Sequence, residues 1–157
     1  MSPSSTPTVS VTNVPTVAYI DACNVTEQVR RDLIISVLQT VSDPTDLATP
    51  GTPQYDAAEW IIGTDESVRC PDDEKLVQRY VMALFYFSTN GDDWNQCGQN
   101  DDTCGLMTPF IDDEKFLSSS HECEWAGVEC DAKECITEIE FGKFQFILFF
   151  VQFELMI

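Results

Sequence analysis

Two cysteines enclose six residues that include a tryptophan and a glycine, and the chain then enters a short apolar pattern typical of a strand. Cys123, Trp125, Gly127, Val128 and Cys130 make the loop; Ile136, Ile139 and Phe141 follow in I-x-x-I-x-F spacing. A disulfide between Cys123 and Cys130 would hold the loop closed, and Trp125 within it supplies a large apolar plug. Gly127 permits a turn or close backbone approach that a Cβ would obstruct. The competing reading is a chance Cys/Trp/Gly cluster in some other small disulfide module.

Seven cysteines in 157 residues read as disulfides formed in an oxidising compartment. Local pairing joins Cys123 to Cys130 and Cys97 to Cys104. Cys23 with Cys70 is the remaining guess and would tie two helices together. Cys135 is then the odd thiol. An oxidising route calls for a signal peptide, yet Met1 opens onto a Ser/Thr/Pro stretch with neither a basic region nor an apolar run. The expectation is that the true N-terminus lies upstream, where a membrane anchor could also reside. The contrary case is a cytosolic chain with reduced cysteines.

Charge narrows the partners. Eight basic against 27 acidic side chains give a formal net charge of −19. Nucleic acid and anionic membrane surfaces both require clusters of Lys and Arg, so neither is expected as a partner. The acidity fits a solvated extracellular surface, weak divalent-cation association or a basic partner.

Along the chain, residues 1–20 form a Ser/Thr/Pro leader that cannot bury much surface. Val25, Val29, Leu33, Val37 and Val41 then recur every four residues, which predicts a helix with that stripe inward. Asn24 with Glu27 resembles a capping box, while Asn24, Val25 and Thr26 also form a glycosylation sequon; the two uses of Asn24 compete. Asp43 and Pro44 end this helix. Thr52 and Pro53 open a short second one closed by Gly63. A third follows Pro71 with an acidic first turn of Asp72, Asp73 and Glu74, and its body from Leu76 to Phe87 is apolar on most sides. Asn90 and Gly91 stop it, Trp94 follows, and an acidic loop pinned by Cys97 and Cys104 runs to Asp113. Phe116 and Leu117 are expected to turn inward.

The C-x-W-x-G-V-x-C order from Cys123 to Cys130, with the strand pattern after it, resembles the plant-type N-terminal cap of extracellular leucine-rich-repeat proteins. The resemblance is specific over about residues 76–141 and includes Trp94 just after the third helix. It implies an α-rich (α+β), disulfide-stabilised cap of about three helices, then a loop and one or two short β-strands of a truncated solenoid. The implied organisation is a leader at 1–20, a helical disulfide-bonded cap at 21–135, a first repeat strand at 136–143 and an apolar non-consensus tail at 144–157. Trp94, Trp125, Gly127, Ile136, Ile139 and Phe141 would form the cap core. A solenoid's end repeat has one side without a neighbour, and a cap covers that edge with a polar outer face. Families of this kind bind proteins or peptides through later repeats, which this chain lacks, at the cell surface or outside the cell. The pattern breaks at Phe144, where a repeat places Asn. A reading frame truncated after the first strand is therefore expected, and the apolar tail is too short to span a membrane at about 20 residues. The alternative is a self-contained secreted acidic disulfide-rich effector or inhibitor.

Neither catalysis nor a cofactor is expected. His121, Cys123, Cys130 and Cys135 cluster, but their spacings do not repeat the close ligand pairs of structural zinc sites. The acidic loop lacks the EF-hand order. His121 is the single histidine, read as an exposed loop residue, and no nucleophile, phosphate-loop or metalloprotease motif accompanies it.

Overall fold

The computed structural model describes residues 22–106 and 109–140. The expectations for the leader 1–20, for Phe141 and for the tail 144–157 lie outside the described residues. The chain is α+β. In order come α1 (Glu27–Leu38), α2 (Pro44–Leu47), α3 (Pro53–Glu59), a wide π-helical turn at Trp60–Thr64 and α4 (Leu76–Ser88). Single 3-10 turns at Gly91–Asp93 and Glu122–Glu124 follow. The described residues end on an antiparallel hairpin of β1 (Val128–Cys130) and β2 (Ile136–Ile139), so β1 falls inside the span 21–135.

Patterning predicts about three helices. The fourth arises because Asp43 does more than end α1: its carboxylate accepts the Thr45 N–H at 2.7 Å and caps the single turn of α2. Thr52 and Pro53 open α3 as expected, with the Thr52 hydroxyl accepting the Tyr55 N–H at 3.2 Å. Gly63 does not close that helix. The chain instead widens through Trp60–Thr64 with Gly63 inside the turn, burying Trp60, Ile61 and Ile62. The acidic triad Asp72 to Glu74 likewise sits ahead of α4 and outside its first turn, which starts after Lys75.

Helix α1 differs most from its sequence pattern. Its buried face is Arg30, Ile34 and Leu38, whereas Val29, Leu33 and Val41 are exposed and Val25 and Val37 half-buried. The helix is thus turned by one residue, about 100°. Arg30 explains the rotation. Its guanidinium donates to the carbonyls of Ile62 at 2.7 Å, Ile61 at 3.2 Å and Arg69 at 3.0 Å. Ending a helix in a wide turn leaves carbonyls without helical partners, and a buried carbonyl without a donor is costly. Placing Arg30 inward satisfies two carbonyls of the wide turn and one of the loop before α4, at the expense of exposing Val29 and Leu33. The cap is also two residues later than expected: Thr26, not Asn24, accepts the Val29 N–H at 3.3 Å, and Asn24 lies outside the helix at φ 65°.

Three disulfides fasten these pieces: Cys23–Cys70, Cys97–Cys104 and Cys123–Cys130, with Cys135 free and exposed. Cys23–Cys70 joins the turn before α1 to the loop before α4, so it bridges two helix entrances and not two helices. By loop-closure entropy it contributes about 4 kcal/mol, against about 2.5 kcal/mol for each of the short loops. Helix α4 is the central element, packed on α3 and α1, with Leu76, Tyr80, Met82, Ala83 and Tyr86 fully buried. Asn90, in the left-handed region at φ 55°, ends its run, and a Cβ on Gly91 would collide with the Tyr86 ring.

The cap assignment is directly measurable. In unglycosylated protein, Thr26→Ala lowers the unfolding free energy by about 1 kcal/mol. Asn24→Gly, which tolerates the same backbone angle, changes it by less than about 0.5 kcal/mol. Urea titration of the oxidised chain reads both.

Candidate functional site

Two polar residues interrupt the apolar body of α4, and both reach toward the Cys/Trp/Gly loop. Arg79 is fully buried. Its Nε donates to Asp65 Oδ2 at 2.6 Å and its Nη2 to Asp65 Oδ1 at 2.7 Å, a two-pronged pairing. Nη2 also donates to the Ser118 carbonyl at 2.8 Å, and Nη1 to the Ser120 carbonyl at 2.9 Å and Glu122 Oε2 at 3.2 Å. A guanidinium carries five N–H groups, and here every one has an acceptor. The same cation lies 5.2 Å from the ring centre of Trp60 and 4.9 Å from that of Trp125. One side chain therefore holds together the wide turn, α4, the strand-free segment before the loop, and the plug itself.

The buried carboxylates are equally occupied. Asp65 Oδ1 also accepts the Ser67 N–H at 3.0 Å. Glu122 Oε1 accepts from Gln78 Nε2 at 2.9 Å, and Arg69 Nη2 stands 3.5 Å from Glu122 Oε2. Arg79, Asp65 and Glu122 are shielded from water, and the partly exposed Arg69, which also pairs with Asp73 at 3.0 Å, adds a second cation at the edge. Removing a buried charge from water costs several kcal/mol, which is offset only when geometry and hydrogen bonding are complete.

One turn of α4 then carries the hairpin. Lys75, Gln78 and Arg79 stand at i, i+3 and i+4, so they share a face. Gln78 Oε1 accepts the Ile136 N–H at 3.1 Å, and its Nε2 donates to the Glu134 carbonyl at 2.9 Å. Lys75 Nζ donates to the carbonyls of Lys133 at 2.8 Å and Glu134 at 2.9 Å, and lies 3.3 Å from Cys135 Sγ. The start of β2 is therefore suspended from α4.

Within the hairpin, Val128 faces Ile139, Glu129 faces Glu138 and Cys130 faces Ile136, leaving Thr137 as an extra residue on β2. Residues three apart on a regular strand point to opposite faces. The bulge at Thr137 is what allows Ile136 and Ile139 both to be buried, and it gives physical meaning to the I-x-x-I spacing. Gly127, at φ 75°, accepts the Glu140 N–H through its carbonyl at 2.7 Å; a Cβ there would strike the Glu140 carbonyl oxygen. The turn itself is pinned by Asp131, whose Oδ1 accepts the N–H groups of Lys133 at 2.8 Å and Cys135 at 2.9 Å. Those bonds hold its carboxyl below the usual Asp range. Asp101 does the same in the Cys97–Cys104 loop. The Thr103 hydroxyl and N–H and the Cys97 N–H depress its carboxyl.

Of the residues singled out from sequence, Trp125 is buried, 1% exposed, at the meeting point of Trp60 and Phe116, with ring centres 6.1 and 5.2 Å away. Trp94 is half-buried and stacks on edge against Phe116 at 4.9 Å and Tyr86 at 5.0 Å, extending the aromatic row. Phe116 is buried as expected, and Leu117 only half so. His121 is not the exposed loop residue it was expected to be. It is half-buried, its Nδ1 accepts the Cys123 N–H at 3.2 Å at the entrance of the Glu122–Glu124 turn, and its Nε2 lies 3.6 Å from the Glu134 carboxylate. Arg79, Gln78, Asp65, Glu122 and Arg30 escaped the sequence reading. The available signal was a Gln-Arg pair inside an otherwise apolar helix, where a buried cation demands carboxylates from elsewhere.

Among the described residues no group of three or more His, Cys, Asp or Glu side chains is placed to hold a metal ion, and no helix is long and apolar enough to cross a membrane. The arrangement fixes a small β-hairpin and a tryptophan plug against a helical layer.

Replacing Arg79 by Met leaves Asp65 buried without its cation and Glu122 with Arg69 alone, so the unfolding free energy of the oxidised protein falls by about 3–5 kcal/mol. Denaturant titration followed by tryptophan fluorescence measures it. Acid should weaken the fold through Asp101 and Asp131, whose folded carboxyls ionise below the ordinary 3.8. Their contribution is complete above that pH and is lost as pH falls through the lower folded values. Asp131→Asn should make stability less steep in that acid range.

Comparison with protein-family models, curated proteins and solved structures finds no match for this chain.

Proposed function

We propose that the chain is a non-catalytic N-terminal cap that seals the first exposed flank of a leucine-rich-repeat solenoid in a receptor-like or ligand-binding protein. The observation that carries this reading is the open side of β2. Among the described residues β1 is the one strand paired with it, while Ile136 and Ile139 already face the core. A further parallel strand stacked on that edge would continue the two-stranded sheet and extend the apolar layer that Ile136 and Ile139 begin. On the other edge of β2 lies β1, held within the Cys123–Cys130 loop with Trp125 buried beside it, which supports the reading as a lid. Ligand recognition in this reading belongs to later repeats and is directed at a protein or peptide, not at nucleic acid. Three disulfides are consistent with an extracellular or cell-surface setting.

The test joins residues 1–140 in frame to a solenoid of consensus leucine-rich repeats that lacks its own N-terminal cap. The expected product is monomeric by light scattering and unfolds in one transition at higher temperature than the uncapped solenoid. Gly127→Ala, which obstructs the β2 contact, should abolish the gain. A fusion that aggregates like the uncapped solenoid, with its three disulfides formed, would contradict the proposal and favour a self-contained secreted protein.

A further inference from the structure

We infer that Asn24 is a modification site carrying an N-linked oligosaccharide, an assignment that rests on the secretory setting proposed above. The sequence holds one Asn-x-Ser/Thr sequon, formed by Asn24, Val25 and Thr26. Sequence alone leaves two competing uses for Asn24, as a helix cap or as an acceptor. The fold separates them. Capping of α1 is done by Thr26, whose hydroxyl accepts the Val29 N–H at 3.3 Å and whose carbonyl accepts the Arg30 N–H at 2.8 Å. Asn24 stands two residues outside, exposed, in a bend before the helix.

Its backbone is left-handed, at φ 65°, a conformation that Asn adopts far more readily than most residues. The position suits Asn for its backbone alone, so the side-chain amide can be given to a glycan at no cost to the helix. Neighbouring Ala22, Glu27 and Gln28 are exposed, which leaves room for a sugar. The adjacent Cys23 does not obstruct transfer. Its partner Cys70 comes 47 residues later, so a nascent chain presents the sequon before that disulfide can close.

The experiment secretes the full chain from a eukaryotic host behind a cleavable signal sequence and maps peptides of the unreduced protein. Most molecules are expected to carry a glycan on Asn24, and an amidase specific for N-linked sugars converts that residue to Asp. Thr26→Asp keeps a capping carboxylate but destroys the sequon. It should therefore lose the glycan while retaining all three disulfides, and Asn24→Gly should do likewise. Thr26→Ser keeps both cap and sequon and should remain modified. A secreted chain with its three disulfides closed and Asn24 bare overturns this inference and leaves the secretory reading standing. A chain that stays reduced after secretion overturns both.

Discussion

A single buried guanidinium organises this molecule. Arg79 satisfies all five of its N–H groups on partners drawn from two separate stretches of chain: Asp65 at the end of the wide turn, and the Ser118 and Ser120 carbonyls with Glu122 just before the Cys/Trp/Gly loop. Two tryptophan rings cover it. Apolar contacts are tolerant of small shifts, whereas a buried charge is not, because each lost hydrogen bond leaves an unsolvated partner behind. The network consequently specifies where the hairpin sits relative to α4 more strictly than the surrounding aliphatic packing could. Gln78 and Lys75, on the same helical face, extend that control to the first residues of β2.

The disulfides work at a different scale. Cys23–Cys70 restricts the unfolded chain over 47 residues and brings together the entrances of α1 and α4, where Arg30 then meets the carbonyls of Ile61, Ile62 and Arg69. Cys97–Cys104 and Cys123–Cys130 close short loops whose shapes are also set by Asp101 and His121. Polar side chains bonded to local backbone thus decide the loop geometry, and the covalent bridges keep it from dispersing. That division suits a chain in which no β-sheet larger than two strands is present among the described residues to organise the second half.

What could be read from sequence follows from what each signal depends on. Short-range signals were legible: Thr52 with Pro53 opening α3, Asn90 ending α4, and near-neighbour cysteines forming small loops, since each depends on residues a few positions apart. The phase of α1 was not. Its aliphatic stripe at Val29, Leu33 and Val41 is a genuine period-four pattern, yet a long-range demand from the Ile61 and Ile62 carbonyls turns Arg30 inward. Periodicity cannot reveal that demand, because it arises only once the wide turn exists. The hairpin and its tryptophan plug were half legible. Trp125, Gly127, Ile136 and Ile139 stand in a recognisable order, but the ionic tie behind them joins residues 43 positions apart in Arg79 and Glu122. An interior Gln-Arg pair hints at such a tie without naming its partners.

Native-state hydrogen exchange on the oxidised protein tests the central claim most directly, by comparing the hairpin with α4. If the Arg79 network makes them one cooperative unit, the amides of Val128 and Ile139 open with the same free energy as those of Met82 and Ala83 in α4. Exchange of the hairpin at a much lower opening free energy, with α4 still protected, would show that the strands are held locally and that the buried guanidinium does not bind the two halves together.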